Sequence, residues 1–120
     1  MHDPNELEKI FESINSIKIK NASKIPVFLK ISPDEDDVTI EKILKIYREL
    51  QICGLIVSNT SIDKNILENC HHEGGISGKP LFNKSSQLIR KIKQIDDEVF
   101  LIGVGGCLLY TSPSPRDWLQ

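Results

Sequence analysis

With 120 residues, 39% of them hydrophobic and 27% charged, and a formal net charge of −2, the chain has material for one modest core under a polar surface. No basic excess marks a nucleic-acid partner, no apolar run approaches the roughly 20 residues of a membrane span, and residues 1–5 do not read as a secretory signal. Cys53, Cys70 and Cys107 are widely spaced and contain no Cys-x-x-Cys pair, which argues for a reducing compartment with Cys53 buried and inert.

In chain order, Leu7, Ile10, Phe11, Ile14 and Ile17 recur at helical spacing and predict an amphipathic helix over about 5–17, with Asp3-Pro4 suited to its start. Residues 25–31 predict a buried strand, with Pro26 confined to its beginning. The acids of 32–37 read as caps and first-turn charges of the next helix rather than as a metal cluster. That helix runs to about Leu50 and carries Ile40, Ile43, Leu44, Tyr47 and Leu50 on one face. Gly54-Leu55-Ile56-Val57 then predicts a strand buried on both faces, ending in the small polar triplet Ser58-Asn59-Thr60.

Residues 61–73 read as a loop with a short helical piece near Ile66 and Leu67. Residues 74–81 form a glycine-rich loop whose path is set by backbone freedom. Leu88, Ile89, Ile92 and Ile95 mark a third helix over about 83–95, and 99–104 a third strand that stops at Gly105-Gly106. Strands alternating with helices predict a parallel sheet with right-handed crossovers. Three strands do not close a barrel, and a complete (β/α)8 barrel takes about 250 residues. The expectation is therefore a piece of a larger protein, with open sheet edges that invite association.

The chemistry gathers at the strand ends. Lys30 lies inside an otherwise apolar strand, where an ammonium either meets an anion or acceptor or snorkels to water. Asn59 and Thr60 offer an amide and a hydroxyl to a planar polar ligand, although strand-to-loop turns also favour both residues. Gly105-Gly106 after a strand lets backbone N–H groups approach a phosphate, or simply makes a tight turn; Ser77-Gly78 has the same two readings. In a parallel sheet all these positions fall on one edge, where active sites gather. His71-His72 lacks metal-ligand spacing and reads as a loop pair, so no metal is expected. Tyr47 and Trp118 give no stacking platform for nucleic acid.

Four ordered segments then carry a resemblance: Val27-Phe28-Leu29-Lys30-Ile31-Ser32-Pro33-Asp34, Gly54-Leu55-Ile56-Val57-Ser58-Asn59-Thr60, Gly74-Gly75-Ile76-Ser77-Gly78-Lys79-Pro80-Leu81 and Ile102-Gly103-Val104-Gly105-Gly106. Together they resemble the class 2, quinone-linked dihydroorotate dehydrogenases. The resemblance spans about residues 5–106 and implies a partial TIM (β/α)8 barrel, about strands five to seven with their helices. It implies FMN at the carboxyl ends of the strands and oxidation of dihydroorotate to orotate in pyrimidine (UMP) biosynthesis, with electrons passed to a membrane quinone. Lys30, Ser58, Ser77, Gly78, Gly105 and Gly106 would contact FMN, and Asn59 and Thr60 the substrate. No catalytic residue is assigned, since the family's serine base belongs to a segment ahead of Met1, as do the helices that receive the quinone. The implied location is the mitochondrial inner membrane, or the cytoplasmic membrane in a bacterium, although the chain itself carries no targeting segment.

Residues 1–106 thus read as a partial FMN-binding barrel and 107–120 as a tail foreign to the family, artefactual or disordered. In that tail Pro113 and Pro115 forbid a regular helix, and Leu109-Tyr110-Thr111 imitates a family phosphate segment without the helix that should precede it. The chain alone is expected to be inactive. Two rival readings stand beside this one: another FMN- or phosphate-binding barrel enzyme, and a non-catalytic partial barrel.

Overall fold

The computed structural model describes residues 4–21, 24–67 and 73–106. Among them the order is α1 (Pro4–Lys20), β1 (Phe28–Ile31), α2 (Asp37–Glu49), β2 (Gly54–Val57), a 3₁₀ turn (Lys64–Ile66), α3 (Leu81–Ile95) and β3 (Leu101–Gly103). The strands form one parallel sheet in the order β1-β2-β3, with Lys30 opposite Ile56 and Ile56 opposite Ile102. This is the parallel α/β arrangement that the strand–helix alternation predicts, as befits the partial barrel that the resemblance implies.

Local chemistry sets the helix ends. Asp36 caps α2, its carboxylate accepting from the Thr39 amide at 2.8 Å, which satisfies one of the orphan donors of the first turn. Gln51 ends the same helix by turning to φ 52°, a left-handed position that stops helical propagation. Asp96 closes α3 and accepts two hydrogen bonds from the Arg48 guanidinium, at 2.8 and 3.0 Å. The ends of α2 and α3 are thereby tied together.

The core lies on one side of the sheet. Ile31, Leu55 and Val57 pack with Ile40, Ile43 and Leu44 of α2 and with Leu88 and Ile92 of α3. A second group, Phe11, Ile46 and Ile52, attaches α1 to α2. Leu55 and Ile92 are fully buried, and truncating either to alanine costs about 2–5 kcal/mol.

Side chains alternate along a strand, so Phe28, Lys30, Ile56 and Ile102 occupy the opposite face. No described helix covers that face, and Phe28, Lys30 and Ile102 are exposed there. β2, expected to be buried on both faces, is buried but for a half-buried Ile56, whereas β1, expected as a buried strand, leaves Phe28 and Lys30 exposed, because helices supply burial to one face only. Gly54 makes room on the open face for the rings of Phe28 and Phe100, whose centroids stand 6.4 Å apart. A Cβ at Gly54 would lie 2.7 Å from Phe100 and 2.9 Å from Phe28.

Two further expectations are corrected. Cys53 is exposed, because it precedes the first residue of β2 and sits at the amino rim of the sheet rather than inside it. On α1 the buried stripe is narrower than the periodicity suggests: Phe11 is buried and Leu7 and Ile14 are half-buried, while Ile10 and Ile17 face out. A single neighbouring helix cannot cover the full apolar arc. Asp3, His71-His72, Cys70 and the 107–120 tail lie outside the described residues.

Candidate functional site

The carboxyl ends of β1, β2 and β3 meet at one rim, and backbone hydrogen bonds continue the sheet past the strands. The Asn59 amide donates to the Ile31 carbonyl at 2.8 Å, and the Ser58 amide to the Val104 carbonyl at 3.0 Å. Ser58-Asn59-Thr60 is therefore held between the ends of β1 and β3. The Val57–Ser58 peptide bond at this point is cis.

Lys30 lies on the open face, level with Ile56 and two residues below the triplet on the neighbouring strand. Its side chain is exposed. Asn59 and Thr60 are exposed above it. The Asn59 Oδ1 accepts from the Thr60 amide at 3.0 Å, a bond that does not use the Nδ2–H donors. Ser58 differs from its two neighbours. It is buried, and its hydroxyl donates to the Asn59 carbonyl at 3.0 Å, so that hydroxyl stabilises the turn.

Gly105 and Gly106 both adopt positive φ, +94° and +66°. A Cβ on Gly105 would come within 3.2 Å of Leu81 and 4.0 Å of the Ser58 carbonyl oxygen; on Gly106 it would overlap the Phe82 backbone at 2.6 Å. The glycine pair thus lets the end of β3 pass between Ser58 and the first turn of α3. Ser77 and Gly78 are exposed just ahead of that turn, where Gly78 has φ +74° and a Cβ added to it would meet nothing within 4 Å. Lys30, Asn59, Thr60, Ser77, Gly78, Gly105 and Gly106 accordingly share one rim of the sheet.

Two features of this rim are not visible in any one motif. Gly75 packs directly on Thr60, leaving no room for a Cβ. Its segment is paired to the chain after the triplet, the Ser61 amide donating to Ile76 at 3.0 Å and the Ile76 amide to Ser61 at 2.7 Å. Behind the rim lies a polar cluster of Asp34, Ser61, Asp63 and Lys84. Lys84 Nζ donates to Asp34 Oδ1 at 2.5 Å and to Asp63 Oδ2 at 3.0 Å, and Ser61 Oγ donates to Asp34 Oδ1 at 2.5 Å. Asp34 is therefore not a helix cap, as the run of acids suggested.

Burial pushes the Asp34 carboxyl up, but hydrogen bonds from Lys84, Ser61 and the Ile62 amide outweigh it and hold the group below its ordinary value. The Lys84 hydrogen bond lowers Asp63 as well. For Lys84, burial acts downward, yet its two carboxylate partners raise it above its usual range. All three groups are charged near neutrality.

Among the described residues no group of three or more His, Cys, Asp or Glu is arranged to hold a metal ion, and no helix is long and apolar enough to cross a membrane. An apolar cleft beside β1, lined by residues including Leu7, Leu29, Lys30, Ile43 and Ile46, lies between β1 and the helices and shares Lys30 with the rim. The rim presents a cation, an amide, a hydroxyl and glycine backbone around an open apolar sheet face. That donor set suits a flat ligand with an electron-rich ring edge and a phosphate.

The family model described as dihydroorotate dehydrogenase matches residues 4–109. A dihydroorotate dehydrogenase (quinone) from Bartonella tribocorum is 41% identical over 91 residues, covering 72% of this chain and 25% of the relative. One from Christiangramia forsetii is 38% identical over 105 residues, covering 82% of this chain and 31% of the relative. The chain thus spans about a quarter to a third of the length of these curated relatives. Among solved structures, the DHODH of Eimeria tenella in complex with ferulenol superposes with a TM-score of 0.61 at 32% identity, covering 69% of this chain and 23% of that one. The ligand-free form gives 0.57 at 33% identity, covering 66% and 23%.

Proposed function

Because this chain belongs to the dihydroorotate dehydrogenase family, we propose that its carboxyl rim forms one wall of an FMN and dihydroorotate site in a quinone-linked dihydroorotate dehydrogenase. The observation that carries this reading is the juxtaposition of Lys30 on the open face with Asn59 and Thr60 above it and the glycine pair Gly105-Gly106 beside Ser58. The quinone is drawn from the name of the relatives, and its step belongs at a quinone-bearing membrane.

FMN, when bound, supplies the two-electron acceptor for oxidation of the substrate ring. The chain's own residues do the rest of the work assigned to this wall. Lys30 would offer a fixed positive charge to the flavin ring, and such a charge needs no reorganisation during the reaction. Asn59 and Thr60 bind the pyrimidine ring and carboxylate of dihydroorotate by hydrogen bonds, which sets its orientation. Backbone N–H groups of Gly78, Gly105 and Gly106 take the phosphate side, where positive φ permits successive amides to converge. Ser58 supports this arrangement through its buried turn and meets the cofactor along its backbone.

Three strands make one wall, so the isolated 120-residue chain is proposed to be silent in turnover and to bind FMN weakly. The test uses a chimera in which residues 4–109 replace the matched segment of the Bartonella tribocorum relative. The expected result is stoichiometric FMN and bleaching of its absorbance on adding dihydroorotate. A folded chimera that holds FMN but is not bleached overturns the assignment of substrate, and one that holds no FMN overturns the assignment of cofactor.

A further inference from the structure

Asp34, Ser61, Asp63 and Lys84 come from three places in the chain: the turn after β1, the loop after β2 and the first turns of α3. They are half-buried or buried, and Ser61 is fully so. Asp34 accepts from Ser61 Oγ at 2.5 Å, from the Ile62 amide at 2.8 Å and from Lys84 at 2.5 Å. Ser61 Oγ also accepts from the Asp63 amide at 3.1 Å. Every bond of this cluster falls within three residues of Thr60 or on a group that contacts that segment.

Resting on the reading above, we propose that Asp34 and Lys84 are positioning residues for the substrate-binding pair. With Ser61 they clasp the chain immediately after Asn59 and Thr60 and hold it in register with the glycine-rich loop. Ser61 is the hinge of this arrangement: its backbone pairs with Ile76 while its hydroxyl reaches Asp34. Lys84 stands between two carboxylates, 2.5 Å from Asp34 Oδ1 and 3.0 Å from Asp63 Oδ2, and keeps them from repelling one another. Without the ammonium the two loops separate, and Asn59 and Thr60 move with them. A displacement of about 1 Å at such a position is enough to cost up to about 100-fold in catalytic efficiency.

The test compares Lys84→Met, Lys84→Arg and Ser61→Ala in the Bartonella chimera, following KM and kcat for dihydroorotate together with FMN content. Lys84→Met is expected to raise KM about tenfold at unchanged FMN content, with Lys84→Arg restoring it to within about twofold. Amide exchange in the 120-residue chain provides a readout free of catalysis. Lys84→Met and Ser61→Ala should each lower protection at Ser61, Ile62 and Ile76 by about tenfold, while Leu55 is unchanged. KM within about twofold of the parent in both Lys84→Met and Ser61→Ala overturns the proposal, as does exchange that rises equally at Leu55 and Ser61. If Lys84→Met does not fold, Ser61→Ala decides. If the parent chimera shows no bleaching by dihydroorotate, the functional reading fails and the exchange pattern alone decides the clasp.

Discussion

A methyl group on Gly75 would stand 2.2 Å from the Thr60 hydroxyl oxygen and 2.6 Å from Thr60 Cβ. The hydroxyl alone could rotate away, but the Cβ contact forces the backbone of one loop or the other to shift. Gly75→Ala is therefore expected to displace Thr60 and lower kcat/KM for dihydroorotate in the chimera by about ten- to a hundredfold. Steady-state kinetics check this, and unchanged kcat/KM would show that Thr60 tolerates the shift.

Lys30 makes a different prediction, because it is exposed and outside the core. Lys30→Ala should change the unfolding free energy by no more than about 0.5 kcal/mol. In the chimera the same substitution removes the charge proposed to face the flavin ring edge and should slow flavin bleaching by about 100- to 1,000-fold. Rapid-mixing absorbance and urea unfolding separate the two effects. Bleaching at the parental rate would remove Lys30 from the site.

Acid should loosen the clasp. Asp34 and Asp63 lie below their ordinary value of 3.8 in the folded chain, so the unfolded state binds more protons as the pH falls. Their stabilisation is present above 3.8 and is lost as the pH drops through the folded values. Lys84, raised above 10.5, contributes fully below that value and loses its contribution as the pH rises through its folded value. Urea unfolding should thus show a plateau between these limits and a decline on either side. Asp34→Asn should flatten the acid limb only in part, since Asp36, held down by Thr39, and Asp96, held down by Arg48, also contribute to it. An acid limb unchanged in Asp34→Asn would contradict this assignment.

The open face and strand edges predict association. Phe28, Phe100 and Ile102 are 39%, 57% and 37% exposed on or beside the uncovered side of the sheet, and an apolar sheet with open edges templates pairing with another chain. Sedimentation of the 120-residue chain should show concentration-dependent oligomers. Ile102→Lys should shift it toward monomer, because a charge on the open face opposes burial against a second copy. A monomer at all concentrations would mean that the face is covered in solution.

Much of the fold was legible because short-range rules govern it. Hydrophobic spacing located α2 and α3, the apolar runs located β1 and β2, and alternation of the two types required a parallel sheet. Lys30, Asn59, Thr60 and Gly105-Gly106 could be assigned to one rim before any coordinates, since parallel strands carry their carboxyl ends to the same side. Burial was less legible. A run such as Phe28-Leu29-Lys30-Ile31 has no marker saying whether one face or both will be covered, and Cys53 sits one residue outside a strand end that periodicity does not fix.

What the sequence by itself determined is the succession of elements and the chemistry each strand end brings, because propensity, periodicity and glycine placement act over a few residues. Only the tertiary structure decided that Gly75 would press on Thr60 and that Lys84 would join Asp34 across fifty residues of chain. Those contacts depend on how loops from separate crossovers pack against one another, and no local pattern of residues encodes that distance.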